Sequence, residues 1–168
     1  LAEMSGVSLR AFYGGRAEEF QQQYGAPGSA VCRDLAEFLA REDVDAVCIC
    51  TPNNSHAEIA LAALRARKHV LCEKPLTLNA AQAQSLFALA RERGLLLAEA
   101  MWTRTLPFAQ ALRKTLADGR LGAPRLVTAV LGEAMADIPR IAQPALGGGA
   151  LLDIGVYALT LACLALEG

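Results

Sequence analysis

The chain has 168 residues, 54% hydrophobic, 20% charged and 5% aromatic, with a formal net charge of −1. So much apolar content with so little net charge excludes a disordered chain, and 5 cysteines are too few, and odd in number, for a disulfide mini-protein. The chain has no basic run that could track a phosphate backbone, so no nucleic-acid partner is expected.

In chain order, residues 7–12 read as a strand and 17–24 as a helix closed by Gly25. Asp34 caps a helix that runs to Arg41. Residues 46–51 form a continuous apolar run rich in β-formers, the pattern of a parallel strand buried on both faces. Cys48 and Cys50 share one side of that strand. Without CxxC spacing they read as small buried hydrophobes, and the cysteine usage points to a reducing, cytoplasmic compartment. Residues 51–55 are a loop by composition. Residues 56–67 are a helix with Ile59, Ala60, Ala63 and Leu64 on one stripe. A second strand over 69–73 stops at Lys74 and Pro75. Asn79 caps the next helix, with Gln82 placed as in a capping box. Ala83, Leu86, Phe87 and Ala90 form its buried face, and Gly94 stands at its C′ position. Residues 95–98 are a third strand. This alternation makes βαβ units and a parallel sheet flanked by helices.

Beyond residue 100 the pattern changes. A helix over 107–118 ends at Gly119, a strand runs from Pro124 through Leu131, and 133–144 is irregular. Gly147, Gly148 and Gly149 then precede an apolar helix over 150–166. The charge-free runs 141–152 and 154–166 have 12 and 13 residues. A membrane span needs about 20, so no membrane partner is expected.

Four groups of residues carry chemistry. The phosphate-cradling G-x-G-x-x-G does not occur; the triple glycine reads as a turn that lets two backbones approach closely. Thr51, Pro52, Asn53 and His56 follow the carboxyl end of a parallel strand, where open α/β sheets bind ligands; a plain capped loop is the alternative. Glu73, Lys74 and Pro75 stand at the next strand's carboxyl end. A lysine held there can polarise a carbonyl or shift a neighbouring acid, and a cis Pro75 would aim it; an exposed charge pair is the alternative. Asp153 and Tyr157 share one face of an apolar helix, either as an acid–base pair or as a cap and a backbone-bonded phenol. With only 2 histidines, no metal site is expected.

Taken together, Val44-Asp45-Ala46-Val47, Thr51-Pro52-Asn53 with His56, Glu73-Lys74-Pro75 and the segment from Gly147 to Tyr157 resemble, in that order, the glucose–fructose oxidoreductase / inositol dehydrogenase family. Glu99, Ala100, Met101, Trp102, Thr103 and Arg104 are similar to its dimeric dihydrodiol and D-xylose dehydrogenase branch. The resemblance covers residues 16–168. It implies an α/β fold: a partial Rossmann-type dinucleotide-binding domain over 1–105, without its first strand and glycine loop, then the start of an α+β substrate domain over 106–168. It implies NADP or NAD as cofactor, lined by Thr51, Pro52, Asn53, His56, Glu73, Lys74, Pro75, Trp102 and Arg104. It implies catalytic roles for Lys74, Asp153 and Tyr157, with Tyr157 as proton donor and acceptor. The implied reaction is hydride transfer between the nicotinamide and a carbinol of a sugar or cyclic diol, in a homodimer paired through the substrate sheet. Two other readings stay open: a non-catalytic cofactor-binding or regulatory relative, and an inactive truncated chain.

Overall fold

The computed structural model describes residues 2–135 and 137–166. The outer ends of the two expected domains, at residues 1 and 167–168, and Ala136 within the expected irregular stretch lie outside the described residues. All strand pairings are parallel. β1 (Ala11–Phe12) pairs with β2 (Ala30–Val31), and β3 (Ala46–Ile49), β4 (His69–Cys72) and β5 (Leu97–Glu99) form a second sheet in that order. The register sets Val47 beside Val70 and Val70 beside Leu97. These side chains, with Ile49 and Cys72, form one apolar layer. α3 (His56–Arg65) and α4 (Ala80–Arg93) cover it with Ala60, Ala63, Leu64, Leu86 and Ala90. Alanines at the helix–sheet contact let the backbones come close, and the fully buried Ile49 and Leu64 fill the remaining volume.

Local signals place the helix ends. α1 (Ala17–Tyr24) has the expected bounds. Asp34 caps α2 (Leu35–Ala40) by accepting from the Glu37 N–H at 2.8 Å. Asn79 accepts from the Gln82 N–H at 3.0 Å, and the Gln82 side chain accepts in turn from the Leu78 N–H at 3.2 Å. α4 ends on Gly94 at φ +65°, a left-handed turn that costs glycine little.

Four expectations need correction. Cys48 and Cys50 are exposed, with sulfurs 3.7 Å apart. Along β3 only Val47 and Ile49, on the face packed against the helices, are core, while Ala46 and Cys48 on the opposite face are exposed. The hydrogen bond between the thiols pushes Cys48 up and lowers Cys50 to about 7. Residues 124–131 form no strand. No strand lies beside them among the described residues, and an isolated strand has no ladder to satisfy its backbone. The irregular stretch contains a short helix, α6 (Pro139–Ala142), opened by a proline at its first turn. The apolar C-terminal helix is compound: a 3₁₀ turn (Pro144–Leu146), the glycines, a π-turn (Leu151–Gly155) and α7 (Val156–Leu166). Together Pro144–Leu166 makes 23 residues containing an 18-residue window of mean hydropathy 1.9, long and apolar enough by length and composition to cross a membrane. Counting charge-free runs missed this because Asp153 interrupts them. In the structure that aspartate is ion-paired with two cations, and α7 packs on α5 (Pro107–Ala117).

The triple glycine makes the close approach its composition suggests. A Cβ on Gly147, at φ +73°, would stand 2.6 Å from Leu78 Cδ2 and 3.0 Å from Asn53 Cβ. Gly147→Ala is therefore expected to lower the melting temperature by roughly 5 °C, from about 1–2 kcal/mol of left-handed backbone strain plus the clash. Gly15→Ala, with nothing within 4 Å, is the matched control in thermal denaturation and leaves the melting temperature unchanged.

Candidate active site

The carboxyl ends of β3, β4 and β5 open into three loops, and side chains from all three converge. The loops are fastened to one another first. His56 is fully buried, with Nδ1 2.7 Å from the Pro75 carbonyl oxygen and Nε2 2.8 Å from that of Thr51. Its ring bridges the first loop to the second. Glu99, at the end of β5, accepts from the Leu76 N–H at 2.7 Å and fixes the second loop to the third. Ser55 donates its hydroxyl to Thr51 Oγ1 at 2.7 Å. The Lys74–Pro75 peptide is cis.

The first loop also seizes the glycine turn. Asn53 Nδ2 donates to the Gly147 carbonyl at 2.9 Å and Asn54 Nδ2 to that of Ala145 at 3.1 Å. This docking brings the π-turn and its Asp153 over the second loop. Lys74 Nζ donates to the Asp153 backbone carbonyl and, at 2.9 Å, to Asp153 Oδ1. The same ammonium lies 5.2 Å from the centroid of the Tyr157 ring, within cation–π range. The phenol oxygen accepts from Trp102 Nε1 at 3.2 Å, the two rings meeting edge to face at 6.0 Å. Lys74, Asp153, Tyr157 and Trp102 thus form one cluster. Lysine meets the phenol through its ring face, and its hydrogen bonds go to Asp153.

Of the other expected residues, Pro52, Glu73, Trp102 and Arg104 are exposed along this edge, and Pro75 is buried beneath it. Glu73 accepts from the Lys74 N–H at 3.2 Å. Arg140 was not anticipated. Its Nη1 donates to Asp153 Oδ1 at 3.1 Å, from a side chain half exposed to solvent. Its only sequence signal is a lone cation flanked by Ile138, Pro139, Ile141 and Ala142. Beside Asp153, a cavity of about 340 Å³ is lined by Glu133, Met135, Ile141 and Ile154 among others.

Burial alone would push the Asp153 carboxyl up. The hydrogen bonds from Lys74 and Arg140 outweigh it and hold the group below its usual range.

A parallel α/β sheet whose reactive side chains gather at the strands' carboxyl ends defines a nucleotide-binding α/β domain. The chain belongs to the oxidoreductase family with an NAD-binding Rossmann fold, which it matches over residues 4–101; residues 109–168 match the GFO/IDH/MocA C-terminal domain. It is 42% identical to the trans-1,2-dihydrobenzene-1,2-diol dehydrogenase of Sus scrofa over 86% of this chain and 42% of that protein. It is 40% identical to the D-xylose 1-dehydrogenase (NADP(+)) of Hypocrea jecorina over 86% of this chain and 40% of that one. A 3-ketoreductase from Actinomadura kijaniata, solved with NADP and TDP-benzene, superposes with a TM-score of 0.82 at 38% identity, over 99% of this chain and 51% of that one. The chain spans less than half the length of the curated relatives it matches.

The donor set suits the nicotinamide end of such a cofactor. Trp102 offers an exposed aromatic plane, and Lys74 and Tyr157 stand beside it as cation and phenol. The glycine-rich turn that cradles a pyrophosphate does not occur in these 168 residues.

Asp153 stabilises the fold while ionised. Because its folded-state value lies below the ordinary 3.8, the contribution is complete above that value and is lost as pH falls through the folded one. Asp153→Asn is expected to cost roughly 3 kcal/mol near neutrality, since it strands two cations, and to flatten the acid limb of stability. Thermal melts across the acid range test both.

Proposed function

We propose that this chain carries the reaction centre of an NAD(P)-dependent dehydrogenase that interconverts a carbinol and a carbonyl on a sugar or cyclic diol. The observation that carries the reading is the meeting of Lys74, Asp153, Tyr157 and Trp102 where β3, β4 and β5 end. The relatives named above, a dihydrodiol dehydrogenase, a D-xylose dehydrogenase and an NADP-bound ketoreductase, support the reaction class. Further structures of that ketoreductase carry a lysine-to-alanine or a tyrosine-to-phenylalanine change.

A bound nicotinamide supplies the hydride acceptor or donor. This chain's part is the proton and the alignment. Oxidising a carbinol releases one proton, and Tyr157 is the group placed to take it. A free phenol, with a pKa near 10, is a weak base at neutral pH. The Lys74 ammonium lies 5.2 Å from the ring centroid, and the Trp102 N–H donates to the phenol oxygen, so both hold the ring in place for the transfer. Asp153 keeps Lys74 in place from a site with 5% side-chain exposure. Pro52, Glu73 and Arg104 border the cofactor, with Thr51 and Asn53 behind them. His56 acts by holding the loops together.

The proposal divides the chain into a dinucleotide-binding region over 1–105 and a substrate region over 106–168. It includes a cytoplasmic setting, supported by the free cysteines, and a homodimer formed through the substrate region.

In the full-length protein, Tyr157→Phe is expected to lower NADP⁺-dependent oxidation of trans-1,2-dihydrobenzene-1,2-diol or D-xylose by about 10²-fold or more. NADPH affinity, read by fluorescence titration, stays unchanged. Wild-type turnover in the variant would contradict the role given to Tyr157.

A further inference from the structure

Asp153 Oδ1 accepts from two cations at once, Lys74 Nζ at 2.9 Å and Arg140 Nη1 at 3.1 Å. The charges decide what this sharing does. A lysine and an aspartate alone sum to zero. With Arg140 added, the cluster is one positive charge in excess, and its ammonium is the member lying on the Tyr157 ring. Arg140 reaches Asp153 from a side chain that is 52% exposed, while those of Lys74 and Asp153 are 14% and 5% exposed.

The backbone fixes this arrangement. Gly149 N–H donates to the Ile141 carbonyl at 2.8 Å, and Gly148 N–H to that of Gln143 at 3.2 Å. Asp153 N–H donates to the Gly149 carbonyl at 3.1 Å. The residue after Arg140 is thereby tied, through one glycine, to Asp153 itself. A Cβ on Gly148 would stand 2.4 Å from the Ile141 oxygen, so the glycine is what permits α6 to lie against the π-turn.

We propose that Arg140 is a positioning residue for the reaction: by sharing Asp153 Oδ1 with Lys74 it keeps the buried carboxylate ionised and leaves the Lys74–Asp153–Arg140 cluster with a net positive charge toward Tyr157. The proposal rests on the reading of Tyr157 as the proton-exchanging group. Among the described residues, other charged or titratable groups lie on these elements, Glu99 at the end of β5 and Asp137 just before α6 among them. The loop after β4 brings Glu73, the 3₁₀ turn at Trp102–Thr105 brings Arg104, and the cavity beside Asp153 brings Glu133. α5 carries exposed Arg113 and Lys114, α7 carries Cys163, and His56 lies buried against Pro75.

The test uses the full-length protein with NADP⁺ and trans-1,2-dihydrobenzene-1,2-diol, in Arg140→Gln, Arg140→Lys and Tyr157→Phe. In Arg140→Gln the acidic limb of the kcat profile moves up by roughly one pH unit, and NADPH affinity holds. Arg140→Lys, which restores the charge, restores the limb. A second readout needs no turnover: the acid-dependent loss of stability in thermal melts is smaller and ends at higher pH in Arg140→Gln, because Asp153 has lost one of the two cations that hold it ionised. An acidic limb and an acid melt both unmoved in Arg140→Gln overturn the proposal. So does a moved limb that Arg140→Lys fails to restore. If Arg140→Gln does not fold, Arg140→Lys decides: a wild-type limb supports the role and a displaced limb overturns it. Full turnover in Tyr157→Phe removes the underlying reading, and the acid melts still report on Arg140 and Asp153.

Discussion

The ion pair between Lys74 and Asp153 is the constraint on which the rest of the site depends. The two residues are 79 apart in sequence, one on the loop after β4, the other on a π-turn leading into α7. Moving both charges out of water is costly, and a buried pair persists only when further hydrogen bonds complete it. Here the lysine also holds the Asp153 backbone carbonyl, and Arg140 supplies a second donor to the same carboxylate oxygen. The pair therefore acts as a joint: it fixes the helix bearing Tyr157 against the carboxyl-terminal edge of the sheet.

Small residues let that joint close. Gly147 and Gly148 leave room for the Asn53 side chain and the Ile141 carbonyl where any Cβ would collide. In many nucleotide-binding folds a glycine cluster admits phosphate. This one admits protein backbone, and Asn53 and Asn54 bind its carbonyls directly. His56 works the same way one layer below, spending both ring nitrogens on the carbonyls of neighbouring loops. Residues that resemble ligand contacts in sequence can thus serve as the frame that carries the contacts.

Much of this was legible before any coordinates. The side chains of Asp34 and Asn79 cap their helices as read, and Gly94 closes α4 in the left-handed turn expected of it, because capping is local chemistry. Lys74, Asp153 and Tyr157 stood out as polar groups at a strand end and on an apolar helix. The order of motifs supplied the family. What escaped was whatever depends on a distant partner. β2 is two residues long and has no periodicity to betray it. Residues 124–131 have strand composition, and a strand forms only beside another. Cys48, on the face of β3 turned away from the helices, and Cys50, just beyond the strand, are both exposed. Arg140 sits in a stretch with no regular pattern, and only the turn at Gly148 and Gly149 folds it back onto Asp153.

Coupling between Lys74 and Asp153, measured as a double-mutant cycle in the full-length protein, tests this account most directly. Lys74→Met, Asp153→Asn and the double variant would be compared for melting temperature and for turnover. The joint predicts strong non-additivity: the second substitution costs little once the first is made, with a coupling of about 1–3 kcal/mol. Additive losses in both measurements would show that the two residues act independently, and would contradict the site described here.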